Sequence, residues 1–320
     1  MSFRGKPKYV DSISVEDFFL TARKQLQLEL ISGESGLKTR ITDKSLNRPA
    51  LALTGYYKNF ASQRIQVFGA GEMSYLRDIK EDQQYRVMSE IARIQIPCIV
   101  ITRDLGATRA IKQVAKENNI PLFTTPQTTR DFANTATLLL EDMFAPKVTE
   151  HGTLMDIKGI GTLIRGASGL GKSECALALI ERGHSLVADD AVYIRLIAEK
   201  ELMGTSSTLN RGYMECRGLG IVNIAELFGV RSVRLEKAID LVVTFFEWKP
   251  ESVEDRTGLD QHYFEILGQQ IPHILLSVKP GRDLARLVEV ASMVQALKQL
   301  GHNSAAEFND RLINYMTPEK

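Results

Sequence analysis

Apolar and polar positions alternate along this chain with two different periods, and the switching between them sketches the fold. Ser14-Val-Glu-Asp17 has the form of a helix capping box, and Phe18, Phe19, Ala22 and Leu26 follow it at helical spacing. Helical patterns recur over Lys80–Arg93, Thr108–Glu117 and Thr129–Met143. Between them lie short apolar runs that predict strands: Leu28–Ile31, Ala50–Thr54, Arg64–Phe68, Cys98–Thr102 and Pro121–Thr124. Strands alternating with helices predict a small α/β domain over residues 1–145, with a frayed start over residues 1–11.

Ala145-Pro146-Lys147 marks a change of pattern and predicts a boundary, with a second domain over residues 146–320. There Val148–Ile157 alternates as one strand, Lys158–Gly161 reads as a turn, and Thr162–Ile164 as the next strand. A helix over Glu174–Arg182 ends at Gly183, and Ser185–Ala188 is a strand closing on Asp189-Asp190. Tyr193–Ile197, Leu202–Met203 and Met214–Cys216 predict hairpin strands, Ile221–Phe228 a short helix, and Leu241–Glu247 and Ile271–Ser277 two more strands. A helix over Asp283–Leu300, with Asp283 as its N-cap, carries an apolar face of Leu284, Leu287, Val288, Ala291 and Val294. A last helix places Phe308, Leu312, Ile313 and Tyr315 on one side, suited to docking on a neighbouring subunit.

Composition narrows the class. The chain has 320 residues, 44% of them hydrophobic and 25% charged, as expected of a globular protein. The net charge of +1 gives no global electrostatic case for nucleic acid or membrane binding. Cys98, Cys175 and Cys216 are odd in number and far apart, which predicts neither a disulfide framework nor a zinc site and fits a reducing cytoplasm. No signal-peptide pattern and no run long enough to span a bilayer is expected.

The chemistry concentrates in one stretch. Gly166-Ala167-Ser168-Gly169-Leu170-Gly171-Lys172-Ser173 fits the phosphate-binding loop G-x-x-x-x-G-K-[ST], with a strand before it and a helix after it. Its backbone amides and helix N-terminus suit phosphate oxygens; Lys172 reaches the outer phosphates and Ser173 ligates Mg²⁺. Asp189 and Asp190 lie only 17 and 18 residues beyond Lys172. The strand–helix–strand unit predicts them at the carboxyl edge of the neighbouring strand, one to help hold Mg²⁺ and one to take a proton from a hydroxyl. From spacing alone, His151, Arg256 and the Glu215–Ile221 run read first as surface or packing residues.

Together these stretches resemble the bifunctional HPr kinase/phosphorylase family of bacteria. The resemblance is carried by His151-Gly152, the loop Gly166–Ser173, Arg182-Gly-His-x-Leu-Val-Ala-Asp-Asp190, Glu215-x-Arg217-Gly218-x-Gly220-Ile221, and Lys279-Pro280-Gly281-Arg282. It implies an enzyme that phosphorylates a serine of the phosphocarrier protein HPr with ATP. It also implies the reverse task, removing that phosphate with inorganic phosphate to give pyrophosphate. A phosphoenolpyruvate-carboxykinase-like kinase domain behind a smaller α/β domain, and a homohexamer, are implied with it. By position, Lys172 matches the phosphate-binding lysine, Ser173 and Glu215 the Mg²⁺ ligands, and Asp190 the group that moves the serine proton. Asp189 beside it supports the metal or the serine, and His151 and Arg256 match the remaining active-site positions. Ser277, Val278, Lys279, Pro280, Gly281 and Arg282 match the stretch important for dephosphorylation.

Three residues depart from the pattern: Asp283 where Asn is usual, Cys216 where an aliphatic residue is usual, and Arg165 where a small or polar residue is common. A carboxylate at Asp283 beside a phosphate-binding turn is expected to weaken phosphorolysis, unless it serves only as a helix cap. Two other functions compete with this reading. A small-molecule kinase would phosphorylate a nucleoside or sugar and leave HPr untouched. A non-catalytic ATP sensor would bind nucleotide without turnover, and would have no use for a base at Asp190.

Overall fold

The computed structural model describes residues 5–249 and 259–316. The chain divides into two compact units. One is Tyr9–Ala145; the other runs from Pro146 onward and takes in the N-terminal residues through Lys8. Within the expected frayed start, Gly5 and Lys8 are paired with the second unit's strand. Gly5 N–H donates to Thr149 O at 2.9 Å, and Lys8 exchanges backbone hydrogen bonds with Lys147.

The Tyr9–Ala145 unit is a five-stranded sheet with helices on both faces. The strand order is Glu29–Ser32, Leu122–Thr124, Ile99–Ile101, Ile65–Phe68, Leu46–Asn47, and all but the first are parallel. Alternate residues of these strands enter separate cores. Ile99 and Ile101 pack with Met73, Ile91 and Val114 on one face, while Val100 packs with Phe18, Phe132 and Leu140 on the other. The helix Val15–Leu26 starts at the expected capping box, with Asp17 N–H donating to Ser14 Oγ at 3.0 Å.

Two local expectations fail in this unit. Ala50–Leu53 is a helical turn rather than a strand, because Ala and Leu favour helix and Pro49 suits a helix start. The helix Ala70–Asp78 is additional; its sequence signal is Glu72, whose carboxylate accepts from Gly69 N–H at 3.0 Å.

The other unit is three layers. A six-stranded sheet runs in the order Ser185–Ala188, Thr153–Ile157, Ile160–Gly166, Leu241–Glu247, Gln269–Val278, His262–Ile266. A four-stranded sheet, Glu236–Ala238, Glu201–Thr205, Ala191–Ile197, Lys147–His151, covers one face. Val148, Val192, Ile194 and Leu202 from the smaller sheet pack there against Leu154, Leu163, Val187 and Val242. The helices Lys172–Glu181 and Leu284–Gln299 cover the opposite face, where Ala176, Leu179, Ala285 and Val288 meet Met155, Ile164 and Val243.

Several expectations are corrected here. Val148–Ile157 is two strands in two different sheets, broken at Gly152, where the chain bends from one sheet into the other. Gly152 is required at that bend because a Cβ would stand 2.6 Å from Ile164 O. Ser185–Ala188 is not the neighbour of the phosphate-loop strand, because Thr153–Ile157 inserts between them, antiparallel to both. Ile221 and Val222 belong to a hairpin strand, Gly220–Asn223, and the helix begins only at Ile224, because the Asn223 side chain accepts from Ala225 and Glu226 N–H. The long helix packs Leu284, Val288 and Ala291 of the expected face on the sheet, but buries Ala285 and Ser292 beside them and leaves Val294 39% exposed. The rotation brings Ser292 Oγ within 2.8 Å of Thr162 Oγ1 on the sheet.

Candidate active site

The phosphate loop leaves the carboxyl end of the strand Ile160–Gly166 and enters the helix Lys172–Glu181. Gly166 makes this turn with φ +150°, and a Cβ there would stand 2.9 Å from Phe245 O on the adjoining strand. Gly171, at φ +82°, caps the helix and leaves its first amides facing the loop. Lys172 is buried, and its ammonium donates to Gly166 O at 3.0 Å and Ala167 O at 3.1 Å. Burial lowers its pKa, an effect opposed by the charges of Asp189 and Asp190.

Asp189 and Asp190 occupy a corner. Just as Gly152 carries the chain from the small sheet to the large one, Asp189-Asp190 carries it back, between Ser185–Ala188 and Ala191–Ile197. The two crossings lie side by side: Gly152 N–H donates to Asp190 O at 3.0 Å, and His151 pairs with Ala191 across the ladder. The corner separates the two carboxylates. Asp189 turns inward, accepting from Thr153 Oγ1 at 2.7 Å and lying 3.3 Å from Ser173 Oγ. Burial raises its pKa, and these hydroxyl hydrogen bonds only partly offset that. Asp190 turns outward with its side chain 77% exposed, and its Oδ1 lies 3.1 Å from His151 Nδ1.

The wall facing the loop is the hairpin Tyr213–Cys216 and Gly220–Asn223. Glu215 and Arg217 line the same cleft as His151, Lys172, Ser173, Asp189 and Asp190. Arg217 Nη2 donates to Ser168 Oγ at 3.0 Å, so the hairpin touches the phosphate loop directly. Gly218 and Gly220, at φ +87° and +90°, form the turn between them. Cys216 is buried at the cleft wall, and its thiol pKa is raised first by that burial and then by Asp189.

The sequence-derived residues thus fall into three groups. Ser168, Gly169, Gly171, Lys172, Ser173, His151, Asp189, Asp190, Glu215 and Arg217 meet at one cleft. Ser277–Arg282 does not line it, but leaves the carboxyl end of Gln269–Val278, two strands from the phosphate-loop strand and parallel with it. There Arg282 Nη1 donates to Ser277 Oγ at 2.5 Å, and Lys279 Nζ stands 4.7 Å above the Trp248 ring. Arg256 lies outside the described residues. Sequence reasoning passed over Thr153, whose only signal was a hydroxyl residue directly after His151-Gly152.

The family described as HPr Serine kinase C-terminal domain matches residues 142–312, and that described as HPr Serine kinase N terminus matches residues 13–140. The chain belongs to the HPr kinase/phosphorylase family. The HPr kinase/phosphorylase of Leptospira biflexa is 44% identical over 309 residues, 96% of each chain. That of Geobacter sulfurreducens is 40% identical over 305 residues, 95% of this chain and 96% of the relative. A solved structure, the Hpr(Ser) kinase/phosphatase from Coxiella burnetii, is 33% identical and covers 50% of this chain and 97% of its own, with a TM-score of 0.45. Membership makes this chain a kinase/phosphorylase, an enzyme of two-domain α/β architecture. Among the described residues no helix is long and apolar enough to cross a membrane.

Proposed function

We propose that this kinase/phosphorylase transfers the γ-phosphoryl group of ATP to a serine of HPr, and in the reverse direction uses inorganic phosphate to remove it. One observation supports this above the rest: the exposed Asp190–His151 pair lines the same cleft as Lys172 and Ser173. A protein serine entering from solvent meets Asp190 first. Its hydroxyl oxygen attacks the γ-phosphorus, the bond from that phosphorus to the bridging oxygen of ADP breaks, and Asp190 takes the serine proton while His151 orients the carboxylate. In reverse, an oxygen of inorganic phosphate attacks the phosphoserine phosphorus. The serine oxygen leaves with the proton returned by Asp190, and pyrophosphate forms.

Mg²⁺ belongs to this reading as a cofactor. The donors fit it: Asp189 and Ser173 bring oxygens 3.3 Å apart, and Glu215 lines the same cleft. Few protein ligands suit Mg²⁺, which shares its octahedron with waters and phosphates. When bound, it supplies neutralising charge to the phosphate oxygens. Lys172 and the loop amides hold the same oxygens, and Arg217 holds the loop against the hairpin through Ser168.

The finer assignments follow. Residues 146–320 form the catalytic domain, of the phosphoenolpyruvate-carboxykinase-like kinase type, behind an N-terminal domain over residues 1–145. Ser277–Arg282 serves phosphorolysis, and Arg256 joins the active site. The protein works in the cytoplasm as a homohexamer, for which the exposed Phe308, Leu312 and Tyr315 of the last helix offer a contact face.

The test is transfer of labelled γ-phosphate from ATP·Mg²⁺ to HPr, followed by excess inorganic phosphate. Label on an HPr serine that is then released as pyrophosphate is expected. Phosphorylation of nucleosides or sugars without HPr labelling would overturn the proposal, as would ATP binding without turnover.

A further inference from the structure

Arg165, unusual for the family at its position, is explained by a partner that sequence alone did not supply. It precedes Gly166 on the phosphate-loop strand, with its side chain 7% exposed, and Nη2 lies 3.0 Å from Glu150 Oε2. Glu150 is fully buried and precedes His151 on the smaller sheet. The pair therefore spans the gap between the two sheets. It extends the layer in which Val148 and Leu163, two residues earlier on each strand, meet in the apolar core.

The surroundings at this level are polar or aromatic. The Arg165 guanidinium lies 4.2 Å from the centroid of the Phe264 ring. Phe264 meets His273 edge-on, and His273 bonds Thr244, the residue paired with Arg165 on the adjoining strand. Leu163 and Val242 below them belong to the apolar core. An ion pair withdrawn from water is a weak stabiliser compared with apolar residues of the same volume. Its reach, by contrast, is restrictive, since the 3.0 Å approach of Nη2 to Oε2 joins two buried side chains that come from different sheets.

We propose that Glu150 and Arg165 are a positioning pair that sets the spacing of the two sheets beneath the active site. The backbone on either side carries the two halves of the chemistry: His151 and the Gly152–Asp190 corner follow Glu150, and the phosphate loop follows Arg165. Fixing one separation between them fixes the reach from Asp190 to a phosphoryl group held on the loop. The proposal rests on the functional reading above only for its activity readout.

The test compares wild type with Glu150→Leu/Arg165→Met, which replaces the charges by apolar groups, and with Arg165→Lys, which keeps the charge on a head group of different length and shape. A pair that only fills the interior is replaceable, so Tm, kcat and exchange would all stay near wild type in the double variant. A positioning pair gives a different split. Tm stays near wild type and nucleotide affinity within about threefold, while kcat for HPr phosphorylation falls about ten- to a hundredfold. Amide hydrogen exchange at Gly152 and Ala191, whose N–H groups hold the corner, rises about tenfold at unchanged Tm. Wild-type exchange at these amides in a folded double variant overturns the proposal, whether or not HPr is the substrate. Should the double variant fail to fold, Arg165→Lys carries the same comparison, and wild-type kcat and exchange in it overturn the proposal equally. A wild-type protein that leaves HPr unlabelled fails the functional reading instead, with the exchange comparison still deciding this one.

Discussion

Asp190 has a left-handed backbone, φ +66°, a conformation that short polar side chains such as Asp and Asn tolerate better than most. Asp190→Asn therefore removes the proposed proton acceptor while leaving the corner in place. HPr phosphorylation and phosphorolysis are both expected to fall about 10²- to 10⁴-fold, with ATP binding retained in an equilibrium titration. Retained kinase activity would move the role to another group, Asp189 first. Asp283 is the helix N-cap that the sequence predicts. Its carboxylate accepts from Arg286 N–H at 3.0 Å and from Arg182 Nη2 at 2.8 Å, and these contacts lower its pKa in that order. A carboxylate held as a helix cap and matched by a guanidinium presents little repulsion to phosphate. Asp283→Asn, which can still cap, is expected to leave the ratio of phosphorolysis to kinase activity unchanged, and Asp283→Ala to lower Tm slightly. A raised ratio in the Asn variant would restore the repulsion idea. His273 gives a pH dependence. Burial first, then Arg165 and His262, lower its pKa below 6.5. The unfolded chain then binds a proton that the folded chain refuses, so stability is complete above about pH 6.5 and falls as the pH drops through the folded pKa. Urea unfolding from pH 7.5 to 5 should show His273→Gln losing less stability than wild type.

Among the elements, the strand pair joined at Gly152 is the most sensitive. Gly152→Ala drives a Cβ toward Ile164 O, which is backbone and has no rotamer to yield. A cost of about 1–3 kcal/mol is expected, read as a lower Tm. Because Ile164 lies two residues before the phosphate loop, weaker ATP binding should accompany it. The same corner shows what was and was not legible in the sequence. The loop Gly166–Ser173 and the helix behind it were readable because their chemistry is local: glycines, a lysine and a hydroxyl at fixed spacing. The alternation from Val148 to Ile157 was also readable, but it continues through Gly152 without interruption, so nothing local announces a change of sheet. The insertion of Thr153–Ile157 between the loop strand and Ser185–Ala188 is a long-range pairing. That is why Thr153, which holds Asp189, escaped notice. The Glu150–Arg165 pair escaped for the same reason, since its members are brought together only by the packing of one sheet on another.

For the whole molecule, the cores on the two faces of the first unit are built from residues of Tyr9–Ala145 alone. A fragment of residues 9–145 is therefore expected to fold by itself and unfold cooperatively in urea. A fragment beginning at Pro146 should fold less stably than the same unit in the full chain, because it lacks the pairing of Gly5 and Lys8 with Thr149 and Lys147. Equal stability would show that this pairing contributes nothing. It also has a consequence for synthesis on the ribosome. Gly5–Lys8 emerges early, yet the strand it pairs with is not translated until the whole first unit has been made. At roughly 5–20 residues per second it waits on the order of ten seconds or more with its backbone unpaired. The first unit can fold during that interval, whereas the unit from Pro146 onward can only be completed by drawing back a segment made before it.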